Sequence, residues 1–231
     1  MKKRGLFIVS EGTDGSGKTV QLERLFKRLK KKGFKCQTIT FPQYGQSSAY
    51  FIEQYLTGKY GGWREVGPYR ASLFYALDRY QAAQKIKKAL SQGKIVLANR
   101  YFASNLGHQG AKINNYQKRK EFFKWIYNLE YNILGIPKPD LNLFLHVPAK
   151  ISYQLVAKKG KREYLRGKKR DIHEKDIKHL KRAEQSYLQA IKLFPKDFKI
   201  IECVSNDKLL SIDEIAQKVW DIIKGKLFIS N

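Results

Sequence analysis

The glycine-rich stretch GTDGSGKT, residues 12–19, limits the possible folds of this chain more than any other feature. It follows the apolar run LFIVS and precedes VQLERLFKRLKKK, in which apolar residues recur with helical period. A strand, a glycine-rich turn and a helix in this order form a phosphate-binding loop, because backbone N–H groups and the helix N-terminus converge on anionic oxygens. The stretch therefore predicts a bound nucleoside triphosphate.

The spacing of this loop matches the pattern G-x-x-x-x-G-K-S/T. The pattern predicts that Lys18 bridges the β- and γ-phosphates and that the Thr19 hydroxyl binds Mg²⁺, so ATP with Mg²⁺ is the expected cofactor pair. The predicted ATP-binding residues are Gly12, Thr13, Asp14, Gly15, Ser16, Gly17, Lys18 and Thr19.

Apolar runs of strand length alternate with helical stretches along the whole chain, which predicts βαβ units in one α/β domain, residues 1–231. The expected fold is a five-stranded parallel sheet flanked by helices on both faces. Strands are predicted at 6–10, 36–40, 95–98, 141–147 and 200–204. Helices are predicted at 20–32, 47–56, 69–91, 118–134, 174–193 and 212–224.

The formal net charge of +26 is unusually high for a chain of 231 residues. Its lysines and arginines recur along several predicted helices, which favours a solvated basic surface, and no groove-reading module is visible. Non-specific electrostatic binding of nucleic acid stays the alternative.

Two further features bear on location. No apolar run approaches the roughly 18 residues of a membrane span, so no membrane partner is expected. Cys36 and Cys203 lie in apolar, strand-like segments without metal-ligand spacing, so we expect free buried thiols in the cytoplasm.

Six motifs occur in a fixed order along residues 6–224: FIVSEGTDGSGKTVQ, FPQYGQS, LFYALDRYQ, NRYFASNLGHQGAK, GIPKPDLNLFL and KRDIHEKD. With these motifs the chain resembles the thymidylate kinases, which convert dTMP to dTDP. The resemblance implies a P-loop kinase fold, ATP and dTMP as substrates, and a homodimer. The predicted helices 20–32 and 69–91 have apolar residues enough for such an interface.

The motif LFYALDRYQ carries the predicted base site. Tyr75 and Arg79 are four residues apart on one predicted helix and therefore share a face. A tyrosine ring suits stacking on a pyrimidine, and a guanidinium suits a base carbonyl. The resemblance implies that this pair holds thymine. Phe74 is the alternative if the helix is rotated.

The motif NRYFASNLGHQG follows a predicted strand, at the sheet edge where open α/β folds bind ligands. The resemblance implies that Arg100 lies between the donor and acceptor phosphates as a catalytic residue, with a surface ion pair as the alternative. It also places Ser104, Asn105 and Gln109 at the substrate. His108 stands where the family has an aromatic residue that crowds the 2′ side of the sugar, so the resemblance implies that role. The alternative is that His108 only supports the fold of its loop.

Phe41 and Pro42 are expected to form an apolar edge over the acceptor nucleotide. Many family members have an arginine nearby for the acceptor phosphate; here Tyr44 can donate only a neutral hydroxyl. Asp14 matches an acidic residue that orients the acceptor sugar and the water shell of the metal. No general base is required, because the attacking phosphate oxygen, with a second pKa of about 6, is largely ionised.

Asn99 stands where the family usually has an aspartate. An amide brings no negative charge, so the expected metal set is Thr19, Asp14 and Glu174, with Mg²⁺ held chiefly by the nucleotide phosphates and Thr19.

The basic segment KKGKREYLRGKKR, residues 158–170, is the predicted lid, which extends over about 158–173. A closing basic loop brings positive charge to the γ-phosphate and excludes water. Family members without an arginine in the phosphate loop, as here with Ser16, carry the catalytic cations in this lid. The candidates are Arg162, Arg166 and Arg170. A solvated charge run or a nucleic-acid patch is the alternative.

The motif after the lid supplies two predicted substrate residues. Asp171 is the expected partner of Arg100, and Glu174 is expected near the acceptor or the metal. Two other functions stay open. A deoxynucleoside kinase would need a carboxylate base where Asn99 stands, and a nucleic-acid-stimulated ATPase would account for the charge.

Overall fold

The computed structural model describes residues 4–158 and 177–228. Its strands are β1 (Phe7–Glu11), β2 (Cys36–Thr40), β3 (Ile95–Asn99), β4 (Leu141–His146), β5 (Phe198–Glu202), β6 (Val204–Ser205) and β7 (Lys208–Leu209). The first five form one parallel sheet in the order β2-β3-β1-β4-β5, and the last two form an antiparallel hairpin. The predicted five-stranded parallel sheet is confirmed.

The α-helices are α1 (Lys18–Lys31), α2 (Tyr50–Leu56), α3 (Trp63–Ser91), α4 (Phe102–Ser104), α5 (Tyr116–Tyr127), α6 (Ala149–Lys158), α7 (Ile177–Leu193) and α8 (Ile212–Phe228). Short 3₁₀ turns cover Ser47–Ala49, Gly110–Lys112 and Pro195–Asp197, and π-helical turns cover Asn105–Gln109 and Asn128–Ile133. None of these helices, over the part of the chain that is described, is both long and apolar enough to cross a membrane.

The two faces of the sheet bury separate apolar clusters. Phe7 and Val9 of β1 belong to the cluster that α3, α5 and α7 cover, whereas Ile8 belongs to the cluster under α1 and α8. Successive strand residues point to opposite faces, so one apolar run serves both layers. Each fully buried large side chain contributes about 1.5–3 kcal/mol, and these layers fix the carboxyl ends of the strands at one edge.

The helix boundaries differ most from the predictions in two places. The predicted helix 69–91 starts at Trp63, and Gly67 interrupts it with a left-handed φ of 72° before Pro68. The predicted helix 118–134 is α-helical only to Tyr127 and continues as a π-turn that buries Glu130. The helical residues 102–112 and the β6–β7 hairpin were not predicted, because their residues lack a clear apolar period.

Both cysteines are free thiols, as predicted, with Cys203 buried and Cys36 half-buried. Burial raises the pKa of the Cys203 thiol to about 12 and also raises that of Cys36. Neither thiol is therefore an activated nucleophile at neutral pH.

His146, the last residue of β4, lies between two carboxylates. Its Nδ1 is 2.7 Å from Glu202 Oε2 and its Nε2 is 2.9 Å from Glu184 Oε1. Glu184 on α7 also accepts the N–H of Ala149 at 2.9 Å. The hydrogen bond to Glu184 raises the pKa of His146 against the opposing effect of burial. Protonated His146 therefore ties α7 to the sheet.

We expect the contacts of His146 with Glu184 and Glu202, here called the His146 clamp, to make the free energy of unfolding depend on pH. The contribution of His146 is complete below its unfolded pKa of about 6.5 and is lost as pH rises through its higher folded pKa. Burial raises the pKa of Glu184, but its hydrogen bonds outweigh burial and lower it, so the contribution of Glu184 is lost only as pH falls through its lower folded pKa.

Urea unfolding of the wild type and His146→Gln checks this. The variant should be less stable by roughly 1 kcal/mol more at about pH 5.5 than at about pH 9. An equal difference in the free energy of unfolding at both pH values would contradict the clamp.

Candidate active site

A cavity opens at the carboxyl ends of β1, β2 and β3. Since β1 lies between β3 and β4, the strand order reverses beside it, and ligands of open α/β sheets bind at such a point. The cavity is lined by Asp14, Gly15, Gly17, Lys18, Thr19, Thr40, Phe41, Pro42, Tyr44, Leu56, Tyr75, Arg79, Asn99, Arg100, Ser104, Asn105, His108 and Gln109. Most of the predicted site residues are thus brought together.

The phosphate-binding loop connects β1 directly to α1. Gly12 has a left-handed φ of 148°, and a Cβ there would lie 2.5 Å from Ser16 Oγ and 2.7 Å from the Leu145 carbonyl oxygen. Only glycine fits this close approach. Gly17, with φ of 83°, precedes the N-terminus of α1, which directs its unpaired backbone N–H groups toward the loop.

Lys18 is buried across this loop. Its Nζ donates to the carbonyl oxygens of Gly12 at 3.0 Å and Thr13 at 2.6 Å. Thr13 Oγ1 lies 3.2 Å from Ser152 Oγ, which joins the loop to α6. The loop and its lysine thus form a rigid, positively charged wall of the cavity.

Arg100 follows β3 in a left-handed conformation with φ of 65°, which is strained for a residue with a side chain. Its backbone N–H donates to Ser10 O at 3.0 Å, and its Nη2 donates to Asp14 Oδ1. Burial acts against the charged guanidinium, but the charge of Asp14 outweighs it and raises the pKa of Arg100. The cavity therefore contains a fixed cation, and not the surface ion pair considered from sequence.

His108 lies beside this guanidinium. Its Nε2 is 3.0 Å from Arg100 Nη1, and because arginine only donates, Nε2 accepts and Nδ1 carries the proton. Burial lowers the pKa of His108 well below its ordinary value. His108 is thus a neutral imidazole, in edge contact with Tyr187 at 5.8 Å between ring centroids.

Glu11 is a buried carboxylate at the end of β1. Its carboxylate accepts the backbone N–H of Tyr101 at 2.7 Å, Ser104 Oγ at 2.8 Å and Tyr187 Oη at 3.0 Å. Burial raises the pKa of Glu11 despite these bonds. The carboxylate fixes the segment that follows Arg100.

The end of the cavity predicted to hold the base is lined by only some of the predicted residues. Tyr75 lines it, whereas Phe74 does not and stacks on Phe51 with 5.7 Å between ring centroids. This geometry favours Tyr75, and the contact of either ring with a base stays a prediction. Arg79 also lines the cavity, but two of its guanidinium nitrogens are already used. Its Nε and Nη2 donate to the Glu130 carboxylate at 2.6 and 2.5 Å. Sequence gave no signal for Glu130.

The predicted apolar edge is present. Phe41 packs on Tyr101 with 5.4 Å between ring centroids, and Pro42 and Tyr44 continue the wall. Gln43 is turned away, since its Nε2 donates to Asp78 Oδ1 at 3.0 Å and its backbone N–H donates to Asp78 Oδ2 at 2.9 Å. Asp78, which was not predicted, thus holds the edge against α3.

The opposite wall comes from the helical turns after β3. Ser104, Asn105, His108 and Gln109 line it, as predicted. The Ser104 hydroxyl is already bonded to Glu11, so its approach to a base is restricted.

Asn99 ends β3 beside Thr19. Its Nδ2 donates to Thr19 Oγ1 at 3.3 Å, while its buried Oδ1 accepts no hydrogen bond from the described residues. Asp14, the predicted metal ligand, uses Oδ1 for Arg100. Among residues 4–158 and 177–228, no three His, Cys, Asp or Glu side chains form a metal-binding group.

The predicted lid, about 158–173, lies outside the described residues apart from Lys158 at the end of α6. The same holds for five predicted site residues, which stay predictions: Arg162, Arg166, Arg170, Asp171 and Glu174. Among the described residues, Arg100 pairs with Asp14.

Comparison with known proteins agrees with this geometry. A family model described as thymidylate kinase matches residues 10–214. The chain belongs to the thymidylate kinase family. The thymidylate kinase of Mycobacterium tuberculosis is 30% identical over 185 residues, 80% of this chain and 85% of the relative. The human thymidylate kinase is 30% identical over 145 residues, 63% of this chain and 62% of the relative.

A solved structure extends this comparison. The thymidylate kinase of Candida albicans superposes with a TM-score of 0.74 at 23% identity, covering 98% of this chain and 94% of that chain. This likeness shows the fold, the P-loop kinase fold expected of a thymidylate kinase.

Proposed function

We propose that this protein transfers the γ-phosphoryl group of ATP to dTMP and forms dTDP. One observation carries the proposal: in a member of the thymidylate kinase family, the phosphate-binding loop, the partly buried cation Arg100 and the Tyr75–Arg79 face of α3 open into one cavity. A donor site, a charge for the transferred group and a base site then lie in sequence along it.

The donor end is the loop and Lys18. The backbone N–H groups of the loop and the N-terminus of α1 attract the phosphates of ATP, and the Lys18 ammonium adds a full positive charge close to the loop. Because these groups are fixed before the substrate arrives, little reorganisation is needed during transfer.

The chemical step requires position and charge more than proton transfer. The acceptor oxygen of dTMP is largely ionised near neutral pH, since the second pKa of a phosphate monoester is about 6. Arg100 neutralises charge between donor and acceptor, and Asp14 fixes the direction of its guanidinium. The predicted lid arginines would complete this charge from the other side.

The acceptor end orients dTMP. The base stacks on Tyr75, with Phe41 and Pro42 along the apolar edge and Tyr44 as a neutral donor near the phosphate. Arg79 and Asn105 face the polar edge of the base. Gln109 and the neutral ring of His108 adjoin the sugar, and the flat ring of His108 disfavours a 2′-hydroxyl.

The residues near Thr19 fit a magnesium ion that enters with ATP. The Thr19 hydroxyl and the buried acceptor Asn99 Oδ1 lie together at the end of β3, next to the loop. Thr19 would hold the ion directly, and Asn99 would accept from one of its waters. When bound, Mg²⁺ neutralises the charge of the donor phosphates.

A homodimer is the proposed assembly. The exposed face of α3 carries an apolar stripe in which Leu73 is 39%, Leu77 49% and Tyr80 52% exposed. Such a stripe on one helix is typical of an interface. The outer face of α1 is mostly charged, so α3 is the better candidate of the two predicted helices.

The remaining predictions are part of the same proposal. The protein acts as one domain over residues 1–231, in the cytoplasm, and its +26 charge gives at most non-specific binding of nucleic acid.

ADP release from MgATP tests this function, with dTMP, dUMP, dCMP, thymidine and single-stranded DNA as separate additions. We expect release with dTMP and more weakly with dUMP. Stimulation by thymidine alone would favour a deoxynucleoside kinase, and stimulation by DNA alone would favour a nucleic-acid-dependent ATPase. Either result would contradict the proposal.

The neighbouring residues Tyr75 and Phe74 form a matched pair for the base site. Tyr75→Leu should raise the KM for dTMP about tenfold and leave the KM for ATP unchanged, because loss of one stacking contact costs about 1–3 kcal/mol. Phe74→Leu, which changes the cluster with Phe51, should leave both KM values within about twofold of the wild type. An equal effect of both variants on dTMP would refute this assignment.

The dependence of the rate on Mg²⁺ concentration tests whether Thr19 or Asn99 binds the metal directly. Thr19→Val removes a direct ligand and should raise the Mg²⁺ concentration for half-maximal rate about tenfold or more. Asn99→Ala removes only a contact to metal-bound water and should raise it less than about threefold. An Asn99→Ala effect as large as that of Thr19→Val would show that Asn99 holds the metal.

A further inference from the structure

Glu130 is a buried carboxylate at the base end of the cavity. It lies in the π-turn after α5 and has an exposed fraction of 0%. Its Oε2 accepts from Arg79 Nε at 2.6 Å, and its Oε1 accepts from Arg79 Nη2 at 2.5 Å and from Asn105 Nδ2 at 3.0 Å. One carboxylate thus binds both polar residues that face the proposed base site.

We propose that Glu130 is a positioning residue which sets the hydrogen-bonding polarity of this site, so that the site accepts thymine and rejects cytosine. The inference rests on the proposed function, because it concerns the base of the acceptor nucleotide. Glu130 itself does not line the cavity and acts through Arg79 and Asn105.

The first step concerns the amide of Asn105. An ionised carboxylate only accepts hydrogen bonds, so the amide nitrogen of Asn105 must face Glu130. The same nitrogen lies 3.4 Å from the carbonyl oxygen of Ser72, a second acceptor. Turning the amide over would place its oxygen against two other acceptors. Glu130 and Ser72 therefore leave Asn105 Oδ1 as the group that accepts from a ligand.

The second step concerns the guanidinium of Arg79. Burial disfavours its charge, but the charge and hydrogen bonds of Glu130 outweigh burial and raise the pKa of Arg79. Glu130 occupies Nε and Nη2, while Nη1 makes a longer contact of 3.3 Å with the Tyr101 carbonyl oxygen. Nη1 carries two N–H groups, so one is left for a ligand.

These two steps give the site one donor, Arg79 Nη1, and one acceptor, Asn105 Oδ1. Thymine and uracil present a carbonyl O4 that accepts and an N3–H that donates. Cytosine presents the reverse, an amino group that donates and an N3 that accepts, so donor would meet donor and acceptor would meet acceptor. Buried polar groups left unpaired in this way reject a ligand strongly.

A purely structural role for Glu130 makes a different prediction. A buried ion pair that only joined the π-turn to α3 would affect the free energy of unfolding and leave the choice of base unchanged. Selectivity between dTMP and dCMP therefore separates the two roles.

The test is Glu130→Gln in the full chain, with kcat and KM for dTMP and dCMP at saturating MgATP. A glutamine amide can donate as well as accept, so the amide of Asn105 is no longer fixed. We expect the ratio of kcat/KM for dTMP to that for dCMP to fall at least about tenfold, mainly through the KM for dTMP. The KM for ATP should stay within about twofold.

Two variants serve as controls. Glu121→Gln, an exposed site on α5, should leave every constant unchanged. Glu130→Asp keeps an acceptor-only group, so it should retain the dTMP preference to within about threefold even if the KM for dTMP rises. Loss of the preference in Glu130→Asp but not in Glu130→Gln would overturn the mechanism.

The remaining outcomes also decide the inference. A folded Glu130→Gln protein with the wild-type ratio overturns it and leaves the proposed function intact, whereas a wild type that does not phosphorylate dTMP overturns both. If Glu130→Gln does not fold, Asn105→Ala, which retains the Arg79–Glu130 pair, must lower the ratio. An unchanged ratio in Asn105→Ala overturns the inference.

Discussion

The ion pair between Arg100 and Asp14 is the interaction on which the rest of the site depends. It joins the residue after β3 to the phosphate-binding loop after β1, two strands that are neighbours in the sheet. Arg100 adopts a strained backbone conformation, and the bonds of Glu11 to the following residues hold that conformation in place. The result is a fixed cation where the proposed donor and acceptor phosphates meet.

Two buried carboxylates organise the two ends of the cavity. Glu11 secures the segment that follows Arg100, and Glu130 secures Arg79 and Asn105 at the end proposed to hold the base. Burying a charged group is costly, and proteins in which apolar residues of similar volume replace a buried ion pair are often no less stable. Both carboxylates are therefore better explained by the order that they impose on cavity-lining residues than by a gain in stability.

The sequence predicted the parts of this arrangement that depend on local pattern. Five apolar runs and the loop at 12–19 determine the sheet and the position of the phosphate-binding loop, and the spacing of Tyr75 and Arg79 placed both residues on the face of α3 that lines the cavity. The π-turn around Glu130 was not predicted, because it depends on pairing with Arg79, 51 positions away in sequence. Phe74, the alternative to Tyr75, stacks on Phe51 and does not line the cavity, because residues from other elements determine the rotation of α3.

A crystal structure with dTMP and a non-hydrolysable ATP analogue tests the central claim most directly. The account predicts the base against Tyr75, its N3 beside Asn105, and the acceptor phosphate within hydrogen-bonding distance of Arg100, roughly 3 Å. The triphosphate should lie on the loop at 12–19. A dTMP molecule bound outside this cavity, or with its phosphate directed away from Arg100, would contradict the account.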